Sequence, residues 1–452
     1  MNNPNRPPLR NGHSRSTTPA EPSRPAPCRG LLLGWDETPA PNLTAAAQPV
    51  IYKGDAPLLT CGMTGSGKGR GALIPTLLID PRSVIVTDIK AELCHVTARR
   101  RREMGHTVVI LDPCGLATRR SDGLNPLDLL TLPGANSDAD AQMLATLLAS
   151  GHHFRSDPFW TDMANALIGG LIAHIATTYP PAQRHLGQLR AWLYHDDMGM
   201  AIATALDRGA VASHFARDQF IAYLNAPIDR TRPCIHTTAC SHVNALCGEQ
   251  AAATLAASTF SLRDLYDGKP LTIYLIIPPD KLESLRPLWR LWIGTLLTAV
   301  MRRRSIPRQR TLFLLDECAQ LGEMSALRQA VTLLRGAGLQ VWSFWQDLSQ
   351  LRQLYPQDWQ TMLNNAAATQ LFSVPNHLMA REWGELLGME PASLARLAPE
   401  DAVVSIRGRG TRVVRRPDYL NDPLFAGLYD PNPRFTPIAE AGPATWHWPW
   451  AR

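Results

Sequence analysis

Residues 61–71, CGMTGSGKGRG, have the composition and spacing of an anion cradle. Gly62, Gly65 and Gly67 let successive backbone N–H groups turn inward without a Cβ clash, which makes a nest for phosphate oxygens at a helix N-terminus. Met63, Thr64 and Ser66 fill the other loop positions, and Gly69 and Arg70 open the following helix. Lys68 is then placed to reach the β- and γ-phosphates of ATP. An apolar run, APLLTC, precedes the loop and ALIPTLL follows it, so the strand, loop and helix that such a motif requires are all present. Pro75 lies deep in that helix and is expected to kink it.

A second element supplies acids. TLFLLDECAQL is an apolar strand ending in Asp316 and Glu317. An aspartate at such a strand end holds Mg²⁺, directly or through water, while the adjacent glutamate polarises the attacking water. Either element alone is commonplace, a glycine-rich turn with a surface lysine or a strand with two terminal acids; their combination points to phosphoryl transfer. Gly69 stands where most such loops carry a Ser or Thr for magnesium. Because Mg²⁺ keeps several waters and takes phosphate oxygens plus a carboxylate, Asp316 with Ser66 or Thr64 could suffice. Nucleotide binding is therefore expected, and the rate of hydrolysis is left open.

These residues need a frame. From about residue 50 the chain alternates short β-rich runs with helical patterns, the signature of an α/β fold with a mainly parallel central sheet. The candidate strands are APLLTC, SVIVTDI, HTVVILD, LTIYLII, TLFLLDE, LQVWSFW and ATQLFSV, several of them apolar almost throughout, as strands covered on both faces are. Between about 135 and 255 the alternation stops, and stretches such as DAQMLATLLAS space apolar residues at helical intervals. An all-α domain inserted at 135–255 into an α/β domain made of 31–134 and 256–430 is the expected organisation.

The 452 residues, 45% apolar and 19% charged, suit a soluble globular protein, and a formal charge of +6 suits a nucleic-acid partner without requiring one. The eight cysteines include no C-x-x-C pair, which argues against a zinc knuckle or a disulfide framework. No apolar run approaches the roughly 18 residues that span a bilayer. A cytoplasmic protein without a transmembrane helix of its own is expected.

With these residues in hand the chain resembles the coupling proteins of type IV secretion, hexameric ATPases that bring DNA to a conjugation channel. GMTGSGKGRGALIPTLL is similar to that family's phosphate loop, in which glycine often follows the lysine. SVIVTDIKAEL, with Asp88, Lys90 and Glu92, resembles its second strand, and GLNPLDLL and SDPFWTDMANALIGGLIAHI resemble the entry to its helical domain. LLRGAGLQVWSFWQDLSQLRQLYP and LNNAAATQLFSVPN resemble its later segments, so the resemblance spans roughly residues 55 to 415. It implies a RecA-like P-loop nucleotide-binding domain, ATP and Mg²⁺ as ligands, and ATP-driven delivery of relaxase-bound single-stranded DNA. It further implies Arg335 as an arginine finger toward a neighbouring subunit, Gln346 as a γ-phosphate sensor, and a relaxase or relaxosome accessory proteins as partners of the helical domain. Such coupling proteins commonly begin with transmembrane helices. Their lack here suggests a branch held at the inner membrane through channel subunits, or a lost anchor. A nucleotide-binding adaptor without appreciable turnover, or a double-stranded DNA translocase, are the alternatives.

Arginine clusters offer a track for DNA phosphates. Arg99, Arg100, Arg101 and Arg102 read more readily as surface or helix C-terminal cations; Arg302, Arg303 and Arg304 form a second group. Arg407, Arg409, Arg412, Arg415 and Arg416 decorate the hairpin-like VVSIRGRGTRVVRRP, with either role open. Residues 1–30 carry seven prolines and five arginines against one acid and are expected to be a disordered basic tail. In a C-terminal tail at 431–452, Trp446, Trp448 and Trp450 suggest a docking peptide or a segment packed back onto the chain. His152, His153 and His185 show no metal-site spacing.

Overall fold

The computed structural model describes residues 30–37, 48–149 and 158–435. The basic N-terminal tail, His152, His153 and the tryptophan-rich C-terminus lie outside them. One sheet of eleven strands organises the described residues. In chain order these are β1 (Leu31–Asp36), β2 (Gln48–Tyr52), β3 (Leu58–Cys61), β4 (Val84–Asp88), β5 (Thr107–Leu111), β6 (Leu271–Ile276), β7 (Thr311–Leu315), β8 (Leu339–Trp345), β9 (Ala368–Leu371), β10 (Asp401–Ile406) and β11 (Gly410–Arg415). Their spatial order is β2-β1-β11-β10-β9-β3-β8-β7-β4-β6-β5.

From β9 to β5 all pairings are parallel. These seven strands are the seven apolar runs of the sequence, and β3, β4, β6, β7 and β8 are buried along their whole length. Beyond β9 the sheet continues antiparallel through β10, β11, β1 and β2. This extension carries exposed positions, as edge strands do.

Alternation along each strand divides the core in two. Phe313 and Leu315 face one apolar cluster, Leu312 and Leu314 the other. The second cluster is closed by the helix Ile74–Ile79, through Leu77 and Leu78, and by the helix Glu92–Glu103, through Leu93 and Val96. The first is closed by the helix Leu282–Met301 and is continuous with the apolar interior of the helices between Ser137 and Ala256. Leu147 marks that continuity: it packs over Gly294, where an added Cβ would lie 2.4 Å from its Cδ1 and displace it. All regular elements described between 137 and 256 are helical.

Pro75 does not kink the helix after the loop as its position suggested. Residues Gly69–Leu73 form a wide π turn, in which Ile74 N–H donates to Gly69 O, and an α-helix starts at Ile74 with Pro75 in its first turn. A proline there forgoes only an N–H that the change of turn already leaves without a regular partner.

Candidate nucleotide-binding site

The loop leaves β3 beside the end of β8, where Gly62 N–H donates to Trp345 O at 3.0 Å. Ser66 N–H closes a turn on Met63 O, also at 3.0 Å. Gly65 (φ 80°) and Gly67 (φ 85°) are left-handed, a conformation that disfavours side chains. Met63, Thr64 and Gly65 are exposed, and no heavy atom lies within 4 Å of a Cβ built on Gly65 or Gly69. Arg70 points outward to Asp418, which accepts from Nε at 2.6 Å and Nη2 at 2.5 Å.

Lys68 is buried inside the loop. Its Nζ donates to Gly62 O at 2.6 Å and Met63 O at 3.3 Å, and stands 3.6 Å from Glu317 Oε1. Gln346, one residue beyond β8, donates from Nε2 to the other carboxylate oxygen of Glu317 at 3.2 Å. Neighbouring strands make this meeting possible: β3, β8 and β7 are adjacent and parallel, so residues just past their C-terminal ends converge.

Asp316 is anchored to the next strand, its backbone O accepting from Thr87 Oγ1 at 2.9 Å. One carboxylate oxygen accepts Glu317 N–H at 3.1 Å. Glu317 itself is left-handed (φ 50°), one of two such non-glycine residues described, which costs on the order of 1–3 kcal/mol and aims its carboxylate at Lys68. Burial, reinforced by the charge of Glu317, pushes the Asp316 carboxyl up to about 7, while Lys68 works in the opposite direction. Asp88, at the end of β4, is also pushed up to about 7 by burial, although the N–H groups of Cys94 and Lys90 donate to it.

The donor atoms suit Mg²⁺. Asp316 offers a carboxylate, and Ser66 Oγ is buried without a hydrogen-bond partner, against the position a Gly62 Cβ would occupy at 2.6 Å. Both are hard oxygen donors.

The structure thus brings together the loop residues 62–70, Asp316, Glu317 and Gln346. Arg335 lies on the short helix Leu334–Ala337 before β8, and its side chain is outside the described residues. The arginine clusters are largely tied into the fold. Arg101 is 0% exposed and donates to the carbonyls of Leu77, Asp80 and Arg82, contrary to a surface role for the whole run. Arg303 is buried on the carbonyls of Leu265, Tyr266 and Gly338, and Arg302 pairs with Asp140. Arg412 and Arg415 pair with Asp36 and with Glu37 and Asp422, and Arg407 donates to Asn364 O and Ala366 O. Phe372 and Arg416, which press on the loop from the β9 side, were not recognised in the sequence as parts of the site. Their distance along the chain from the loop hides them.

A family model described as type IV secretory system conjugative DNA transfer matches residues 43–394. The type IV secretion system-coupling protein VirD4 of Bartonella quintana (strain Toulouse) is 27% identical over 315 residues, 66% of this chain and 49% of that protein. The conjugal transfer protein TraG of Escherichia coli is 26% identical over 327 residues, 67% of this chain and 50% of that protein. The chain therefore spans about half the length of these curated relatives. Among solved structures, the plasmid coupling protein TrwB in complex with the non-hydrolysable ATP analogue ADPNP superposes with a TM-score of 0.64 at 18% identity, covering 90% of this chain and 98% of that one. TrwB in complex with ADP and Mg²⁺ gives 0.63 at 19% identity, covering 82% and 88%. That likeness identifies a RecA-like P-loop fold, and with the matched family model it establishes that this chain belongs to the type IV secretory conjugative DNA-transfer family.

Proposed function

We propose that the chain is an ATP-driven coupling protein that recruits relaxase-bound single-stranded DNA and delivers it to a conjugation channel. The nucleotide half of this reading rests on one observation, the 3.6 Å approach of Lys68 Nζ to Glu317 Oε1 within a glycine loop. The DNA-transfer half rests on family membership.

In this reading residues 31–134 and 256–430 form the nucleotide-binding domain, and the helices of 135–255 face the cargo. The amides of Gly62, Met63, Thr64, Gly65, Ser66, Gly67, Gly69 and Arg70 hold the phosphates of ATP, and Lys68 exchanges loop carbonyls for phosphate oxygens. Glu317 accepts a proton from the attacking water, and Gln346 fixes the Glu317 carboxylate by its hydrogen bond. Mg²⁺, held by Asp316 and Ser66, would neutralise charge that develops on the phosphates. Arg335 serves the site of a neighbouring subunit, which makes a ring, as in a homohexamer, the working form. Among the described residues no helix is long and apolar enough to cross a membrane. Attachment at the cytoplasmic side of the inner membrane would run through channel subunits.

The test is ATP turnover with and without single-stranded DNA, over protein concentrations that span ring assembly. DNA stimulation that rises cooperatively with concentration, and is lost in Lys68→Ala, is expected. Gly69, which brings no hydroxyl to the metal, favours the adaptor reading. Nucleotide binding without DNA-stimulated turnover would select it, and a preference for duplex would select a double-stranded translocase.

A further inference from the structure

Two antiparallel steps, β9 to β10 and β10 to β11, restore the strand direction, so β11 runs parallel to β9 and β3. Its C-terminal end emerges at the sheet edge that carries the phosphate loop. It lies on the side of β3 opposite β8 and β7, the strands that lead to Gln346 and the acidic pair. Arg416 is the first residue past β11. Its N–H donates to Glu400 O at 2.8 Å, and its guanidinium carbon lies 5.1 Å from the centroid of the Phe372 ring. Phe372 is 2% exposed, and its N–H donates to Cys61 O at 2.9 Å, which ties this platform to the start of the loop.

From the platform Arg416 Nη1 donates to Ser66 O. The three heavy atoms nearest a Cβ built on Gly67 all belong to this guanidinium, Nη1 being 2.9 Å away. The arginine thus rests on the two loop residues that precede Lys68. Unlike Arg412 and Arg415 it forms no ion pair among the described residues, and its buried Nε has no hydrogen-bond partner. A guanidinium offers five donors, and this one commits one of them to a carbonyl. Asp401 and Glu400 are near enough to moderate the loss of hydration that depresses its pKa, without accepting a hydrogen bond from its side chain.

We propose that Arg416 is a second, intrasubunit phosphate-binding cation, which donates to α- or β-phosphate oxygens of a nucleoside di- or triphosphate from the β11 side of the loop. This rests on reading residues 62–70 as the nucleotide site. It differs in kind from Arg335: Arg416 belongs to the same chain as Lys68, and it meets the loop at Ser66 and Gly67 from the side of β3 away from the strands that lead to the acidic pair. ATP and ADP should therefore feel it equally.

The experiment is equilibrium titration of the full chain with a fluorescent ATP and a fluorescent ADP, together with steady-state ATPase kinetics. Arg416→Gln is expected to weaken both nucleotides by about tenfold, raising KM by that factor while kcat falls by less than about threefold. Arg416→Lys, which keeps the charge without the planar fork, should lose only about threefold. The lysine variant decides alone if the glutamine variant does not fold. The control Arg412→Ala should bind both probes as wild type does. Unchanged affinity in either Arg416 variant would overturn the proposal, as would a loss in kcat at constant KM or a loss that lysine does not ease. If the wild-type chain bound neither probe, the reading of the loop itself would fall, and this contact with it.

Discussion

Lys68 Nζ and Glu317 Oε1 stand 3.6 Å apart, with Gln346 Nε2 holding the opposite carboxylate oxygen at 3.2 Å. Lys68 divides its charge between two loop carbonyls and this carboxylate, all acceptors that phosphate oxygens can replace. In the proposed mechanism the lysine exchanges these partners for phosphate oxygens, and the Glu317 carboxylate, held by its left-handed backbone and by the Gln346 amide, is already oriented to act as the base.

Replacing Glu317 by Gln keeps the shape and the contact with Gln346 but removes the proton acceptor. Nucleotide affinity should stay within about threefold, whereas turnover should fall by about a hundredfold or more, the usual worth of a general base. Parallel binding and ATPase assays check this, and a variant that hydrolyses ATP at the wild-type rate would remove Glu317 from the mechanism.

If Asp316 holds Mg²⁺ as proposed, its raised pKa should make that binding pH-dependent. A carboxyl that titrates near 7 must give up its proton before it can hold Mg²⁺, so affinity for the Mg²⁺ nucleotide should rise between about pH 6 and 8, with proton release on binding. Asp316→Asn should flatten that profile and abolish the release, as read by calorimetry in buffers of different ionisation enthalpy. The same shift acts on stability with a defined sign. Because the folded pKa lies above the unfolded one, the contribution is present below about pH 4 and is lost as pH rises through about 7. Thermal unfolding of the ligand-free asparagine variant should accordingly decline less over that range.

The parallel half of the sheet and the meeting of Lys68 with Glu317 were legible because each has a one-dimensional signature. Strands buried on both faces, such as Leu271–Ile276 and Leu339–Trp345, appear as unbroken apolar runs, and loop and acids follow such runs directly. The edge was not legible. Gln48–Tyr52 has little apolar length and gains its place only by pairing with Leu31–Asp36. The π turn before Pro75 is a compromise between the loop's glycines and the proline, and nothing in the apolar pattern encodes it. Whether an arginine is surface or core depends on what covers it. Arg101 and Arg102 are adjacent in sequence, yet one is sealed beneath Leu77 and Thr272 and the other is exposed.

Gly69 can be tested for a need to be glycine. Its surroundings are open and its φ lies outside the left-handed range, so Gly69→Ser should fold normally and gain about 0.5 kcal/mol from lower backbone entropy in the first turn. Nucleotide binding should persist, and half-maximal turnover should need less Mg²⁺ once a hydroxyl is supplied. Unfolding of this variant, or loss of nucleotide binding, would show that the backbone at 69 tolerates no side chain.

The run at 99–102 lets a structural role and a nucleic-acid role be tested apart within four consecutive residues. Arg101 Nε donates to Thr272 Oγ1 at 2.8 Å, its Nη atoms serve three carbonyls, and its Nη2 lies 3.2 Å from His106 Nδ1. Burial lowers its pKa to about 10, so it stays charged at neutral pH and is held by dipoles rather than by a carboxylate. Arg101→Ala would leave those carbonyls without a donor and open a cavity, which should cost about 3 kcal/mol or more in denaturant unfolding. Arg102→Ala, at an exposed position, should stay within about 0.5 kcal/mol of wild type. If the run also formed part of a DNA track, Arg102→Ala would reduce the salt dependence of single-stranded DNA binding by about one phosphate contact without touching stability. An unchanged salt slope would confine the cluster to the fold, and equal destabilisation by the two variants would contradict the burial of Arg101 alone.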